Sequence, residues 1–150
     1  MLALAGGPMF AQQMAIPYGL SITIDNAKKV APVALAEARR NSWTMAVAIV
    51  DAGGDLVYFE RMDNTQLGSV EMAIAKARSA ARYKRNTKTF QDTLAAGGDG
   101  LRTLGLIGAM PVEGGFPLVM DGKIVGAIGV SGGTSAQDAQ CAKLAADTMK

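Results

Sequence analysis

Residues 43–50, Trp-Thr-Met-Ala-Val-Ala-Ile-Val, carry two interleaved sets of mostly apolar side chains. In an extended strand Trp43, Met45, Val47 and Ile49 share one face, and Thr44, Ala46, Ala48 and Val50 share the other. A strand with no polar face must be covered on both sides, so it belongs at the centre of a sheet held between two layers of helix. With 150 residues, 49 % apolar and 19 % charged, the chain is long enough to bury such a sheet in one domain.

The flanking segments supply the rest of the sheet and its cover. Asp51-Ala52-Gly53-Gly54-Asp55 reads as a turn, with Leu56 to Arg61 returning as a second strand. Upstream, Thr23 is placed to cap a helix with Asp25 in its first turn. Ile24, Ala27, Ala31, Ala34, Leu35 and Ala38 then recur at helical spacing. Pro32 inside that helix predicts a kink or a restart. A second helix over 69–83 carries Ala73, Ala77, Ala80 and Ala81, small enough for close packing on a sheet, with Lys76 on the same face. A short helix is expected at 87–95 and a loop at 96–100; residues 101–110 give no assignment.

Phe116 to Met120, Asp121-Gly122 and Lys123 to Val130 form a hairpin pattern with a type I′ turn pair. Ser131-Gly132-Gly133 breaks the strand, and Thr134 with Gln137 makes a capping box for a last helix. Cys141, Leu144, Ala145 and Thr148 are its expected buried stripe. The order is helix, hairpin, helix, loop, hairpin, helix. That predicts one α+β domain over residues 20–150 with an antiparallel sheet, preceded by an N-terminal segment over 1–19.

Composition removes several functions. The chain contains no histidine, which excludes a Ser-His-Asp triad and the commonest zinc and haem ligand. Its single cysteine, Cys141, forms no intrachain disulfide. Net charge is +2 and aromatics are 5 %, which argues against nucleic acid as a partner. No run of about 18 apolar residues is present, so no spanning helix is expected. Residues 1–15 look like the tail of a secretory signal peptide, although no Lys or Arg precedes Lys28. They predict a periplasmic or secreted protein, with a cytoplasmic one as the alternative.

The candidate binding chemistry lies in four places. Gly126 to Gly133 leads into a helix N-terminus, where the free amides of Ser131, Gly132 and Gly133 could hold a carboxylate or phosphate. Glu113-Gly114-Gly115 is a second glycine-rich approach, able to lie close to a flat ligand. Asp51, Glu60, Arg61 and Asp63 are polar residues near strand ends, and Arg61 can grip a carboxylate with two hydrogen bonds. Lys76 is either a partner for a ligand carboxylate or half of a structural ion pair.

Several of these segments together resemble one family. Val50-Asp51-Ala52-Gly53-Gly54, Arg61-Met62-Asp63, Ala73 to Arg78, Gly115-Phe116-Pro117-Leu118 and Val125 to Gly133 follow its order and spacing over residues 20–149. The chain is similar to the GlcG/HbpS family, which includes the C-terminal domain of PduO. The resemblance implies a profilin-like three-layer α/β/α sandwich around a central antiparallel sheet. It also implies a homo-oligomer, and haem or a related tetrapyrrole as ligand. Many members carry histidine just after the Asp-Ala-Gly-Gly turn; here that position is Asp55. A histidine-ligated haem is therefore excluded, leaving Met, Tyr, Lys or Cys141 as axial donors, or haem held without strong protein ligation.

The expected function is small-molecule binding in an oligomer, with haem or a related tetrapyrrole as the ligand. Its contacts are expected from Arg61, Met62, Lys76, Arg82, Glu113, Gly114, Gly115, Ser131, Gly132 and Gly133, with no metal site. Two alternatives stand beside it. One is an enzyme or accessory protein acting on small carboxylic acids, with Lys76, Asp51 or Glu113 moving protons. The other is an oligomeric signalling or structural protein without a ligand. No acid–base pair follows from spacing, so binding is expected rather than catalysis.

Overall fold

Thr23 opens helix α1 (Ile24–Arg40) as expected, its hydroxyl accepting from the Asn26 amide at 3.2 Å. Pro32 does not interrupt it. The expected kink or restart is replaced by one continuous helix, because Pro32 lies on the solvent side. The Lys28 carbonyl that loses its partner is on an exposed turn, where water can satisfy it. After α1, Ser42 takes a left-handed conformation (φ 60°) and the Trp43 amide bonds back to the Ala38 carbonyl. This reversal occupies residues 43–45, so the first strand, β1 (Ala46–Asp51), begins later than the alternation predicts.

The computed structural model describes residues 16–150 and builds an α+β domain. The expected signal-peptide tail lies outside the described residues. Strand β2 (Leu56–Arg61), helix α2 (Ser69–Tyr83) and helix α3 (Thr87–Ala95) follow β1. The 101–110 region begins within a 3₁₀ segment, Gly98–Gly105. Strands β3 (Gly115–Met120) and β4 (Lys123–Ser131) then lead to helix α4 (Ser135–Asp147). Asp121 and Gly122 both have positive φ (52° and 72°), the type I′ geometry that their sequence predicts. Among the described residues, no helix is long and apolar enough to cross a membrane.

The sheet is antiparallel throughout, in the order β2-β1-β4-β3. Its centre is therefore β1 and β4, and both faces are covered. Met45, Val47 and Ile49 pack with α1 and α4; Ala46, Ala48 and Val50 pack with the alanines of α2. That is a three-layer α/β/α sandwich, with the two faces of β1 assigned as the alternation predicts. Where β1 ends, residues 17–22 run on beside the start of β4, through Ile124 N–H to Pro17 O and Ile22 N–H to Val125 O.

Two sequence readings of the last helix differ from the fold. Its capping box forms, with Thr134 and Gln137 bonding reciprocally. Leu144 and Thr148, however, are exposed, and the buried stripe is Asp138, Cys141, Ala142, Ala145 and Ala146. Small side chains let α4 lie against α1 and the sheet, and the bulky Leu144 falls outside that seam. The 3₁₀ segment and its exit also leave Leu101, Leu104, Leu106 and Ile107 exposed.

Candidate functional site

The two glycine-rich segments meet Lys76. Its position on α2, with Ala73, Ala77 and Ala80, points its side chain into the sheet rather than to water. Nζ donates to Asp138 Oδ2 at 2.7 Å and to the Val130 carbonyl at 3.0 Å. Lys76 and Asp138 side chains are only 1 % and 3 % exposed. The other carboxylate oxygen accepts from the Gly133 amide at 3.0 Å, and the Gly132 amide also bonds the group. The glycine amides that could have held a foreign anion thus hold the aspartate of their own helix.

Gly114 and Gly115 close this pair from the other side. Gly114 has φ +126°, and a Cβ there would fall 2.9 Å from Lys76 Nζ and 2.8 Å from the Val130 oxygen. The Gly115 amide donates to Thr87 Oγ1 at 2.9 Å, and Ser131 Oγ bonds Ser69 Oγ at 3.2 Å. Lys76, Gly114, Gly115, Ser131, Gly132 and Gly133 are therefore brought together around one sealed ion pair. Asp138, Thr87 and Ser69 were not among the expected residues. The local signal for Asp138 was its place next to Gln137, in the first turn of a capped helix. Burial raises the Asp138 carboxyl above the ordinary aspartate value, against the lowering influence of Lys76 and the two amides.

The other expected residues lie elsewhere. Arg82 Nε donates to the Gly53 carbonyl at 3.0 Å and Arg78 Nε to Gly54 at 3.1 Å, so both arginines hold the β1–β2 turn. Asp51 supports the same turn, its Oδ1 accepting from the Gly53 and Asp55 amides. Arg61 and Met62 line a hollow of ≈ 400 Å³ with Arg39, Glu60 and Asp63, four of its five residues being charged. The Met62 sulfur accepts from the Met45 amide at 3.4 Å. Glu113 pairs with Gln91, whose Oε1 accepts its amide at 2.9 Å.

A different hollow combines apolar walls with positive charge. It runs along the open edge of β3 with a volume of ≈ 390 Å³. Ile16, Phe116, Pro117, Val119 and Ala146 supply apolar surface. Lys84 and Arg85 flank one end, from the corner between α2 and α3; Lys143 and Lys150 flank the other, beside α4. Asp147 is the one carboxylate there, held below the ordinary aspartate range by hydrogen bonds from Lys143 and Lys150. Lys84 lies over the Tyr18 ring at 4.3 Å and Arg85 over Phe90 at 5.6 Å, which fixes both cations at the rim. Four separate stretches of chain build this hollow, so no local motif announces it.

This arrangement fits a flat, apolar molecule bearing acidic groups, its apolar face on the strand edge and its acids toward the cations. Of the axial donors in prospect, Met, Cys and Tyr do not line it and only lysine does, as Lys84, Lys143 and Lys150. Cys141, counted among the axial donors in prospect, is fully buried, and burial pushes its thiol up to about 11.

Comparison with known proteins places these features in a family context. A family model described as "Haem degrading protein HbpS-like" matches residues 22–147. Protein GlcG of Escherichia coli K12 is 40 % identical over 95 residues, 63 % of this chain and 69 % of that protein. A crystal structure of a Streptomyces reticuli HbpS double mutant superposes with a TM-score of 0.80 at 26 % identity, covering 98 % of this chain and 99 % of the other. The crystal structure of a PduOC:heme complex superposes with a TM-score of 0.77 at 27 % identity, covering 87 % of this chain and 96 % of the other.

Proposed function

The chain belongs to the HbpS-like family, and from that premise we propose that it binds haem or a closely related acid-bearing tetrapyrrole along the β3 edge. The observation that carries this reading is the hollow itself, where four cations and one carboxylate surround an apolar strand edge. The haem complex of a structural relative supports the ligand class. The hollow beside Arg61 has the charge for such a ligand without the apolar wall. The amides of Gly132 and Gly133, which an enzyme for small carboxylic acids would use to hold its substrate, face Asp138.

The residues present fit the macrocycle and its carboxylates: Phe116, Pro117 and Val119 against the ring, and Lys84, Arg85, Lys143 and Lys150 toward the acids. When bound, haem would supply its iron as a redox centre. What the chain supplies is apolar contact and charge pairing, so affinity rests on the porphyrin rather than on the metal. The protein acts as a homo-oligomer in this reading, supported by the exposed aliphatic cluster Leu101, Leu104, Leu106 and Ile107.

The test is a titration with haemin, iron-free protoporphyrin and the protoporphyrin dimethyl ester, following the Soret band. Haemin and the free acid are expected to saturate near one per chain with affinities within about fivefold of each other. The diester is expected to bind at least about tenfold more weakly, since it lacks the charges that the cations pair. A flat haemin titration, or a diester that binds as tightly as the acid, contradicts the reading.

A further inference from the structure

The four cations of the β3-edge hollow are not equivalent. At the α4 end Lys143 and Lys150 both donate to Asp147, at 2.6 and 2.9 Å. These lysines share a carboxylate before any ligand arrives. At the other end stand Lys84 and Arg85. Among the described residues neither makes an ion pair. Their own stretch supplies no partner, since no Asp or Glu lies between Glu71 and Asp92. Asp92, the next acid along the chain, is taken by Lys88.

What holds these two cations leaves their charge intact. Lys84 rests on the Tyr18 ring, which is itself fixed by its hydroxyl donating to the Ala81 carbonyl at 2.7 Å. The Arg85 guanidinium lies over Phe90, and its Nε donates to the Tyr83 carbonyl at 2.9 Å. Ring faces and a backbone carbonyl orient a cation without neutralising it. The outer guanidinium nitrogens keep the paired donors that match a carboxylate. Asn86 and Thr89 stand on the same wall.

We infer that the Lys84–Arg85 corner takes the acids of the ligand, so the site selects tetrapyrroles whose carboxylates lie on one side of the ring. This rests on the ligand reading above and adds its orientation. A carboxylate at Lys84 and Arg85 meets two unpaired positive charges. One at Lys143 must compete with Asp147 and lie beside a like charge. The apolar side of the ring then lies toward Ala146 and the lysine stems.

Titration with iron-free protoporphyrin and its dimethyl ester tests the orientation in the wild type, Lys84→Gln/Arg85→Gln and Lys143→Gln. Circular dichroism checks that the variants are folded. Lys143→Gln leaves Asp147 with Lys150, so that end becomes neutral, whereas charge reversal there would set a second carboxylate against the ring. The double variant is expected to bind the free acid about tenfold more weakly and the diester unchanged. Lys143→Gln is expected to stay within about twofold for both. Arg85→Gln alone, at an exposed position and removing one charge as Lys143→Gln does, is expected to cost about fivefold. Coproporphyrin, with acids on both sides, is expected to bind no more tightly than protoporphyrin. Equal losses at the two ends, or tighter binding of coproporphyrin, would overturn the orientation and leave the ligand reading standing. Unchanged affinity in the double variant, or a loss that the diester shares, would do the same. A wild type that binds no porphyrin overturns both.

Discussion

Lys76→Met is expected to lower the unfolding free energy by about 3–5 kcal/mol at pH 7, the usual cost of stripping one partner from a buried ion pair. The remaining carboxylate would keep the Gly132 and Gly133 amides but lose its only cation, in a site almost closed to water. The pH dependence has a definite sign. Burial already raises the Asp138 carboxyl above 3.8 on folding, and removing Lys76 raises it further. A carboxyl raised on folding favours the fold where it is protonated. That contribution is complete below the unfolded value and is lost as pH rises through the folded one. The deficit relative to wild type is therefore smallest near about pH 4 and widest at neutral pH. Urea denaturation across that range measures it. Lys76→Met/Asp138→Leu is expected to recover most of the loss, since an apolar pair often replaces a buried ion pair without penalty. A deficit that is small and flat with pH would mean that the pair does not hold α2, β4 and α4 together.

Gly129→Ala is the second large effect. Gly129 faces α2 from the middle of β4, and a methyl there would overlap the Ala73 carbonyl oxygen and lie 2.6 Å from the Ala77 amide nitrogen. Both obstacles are backbone, so no side chain can turn aside. The helix must retreat from the alanine-lined face that Ala46, Ala48 and Ala127 share with it. Overpacking of this kind costs about 3 kcal/mol or more. Gly105→Ala is the matched control: nothing lies within 4 Å of the added methyl, and the change is expected to stay within about 0.5 kcal/mol. Equal stability of the two variants would contradict the close approach of α2 to the sheet.

Much of this fold was legible because its instructions are local. Thr23 and Thr134 declare helix starts, Asp121-Gly122 declares a hairpin, and the alternation from Met45 to Val50 assigns both faces of the central strand. Failures came where context outweighs local preference. Pro32 sits in a continuous helix because its unpaired carbonyl faces water, and Leu144 is exposed because small residues form the α4 seam. The site was less legible. Lys76 stood out by its apolar neighbours, yet its partner Asp138 lies 62 residues away. The β3-edge hollow draws Ile16, Lys84, Val119 and Lys143 from four stretches of chain, and only the folded sheet edge brings them together.

A ligand seated on the β3 edge must feel a change at Val119, and a Soret titration of haemin against Val119→Glu reads it. Val119 is half-buried in the wall of the hollow, where a carboxylate opposes both the apolar ring and its acids. Lys143→Glu, at an exposed rim position, accompanies it as a variant with no packing to lose. Both variants are expected to weaken haemin binding by about tenfold or more, while circular dichroism stays that of the wild type. Wild-type affinity in both folded variants would contradict it and place the ligand elsewhere on the molecule.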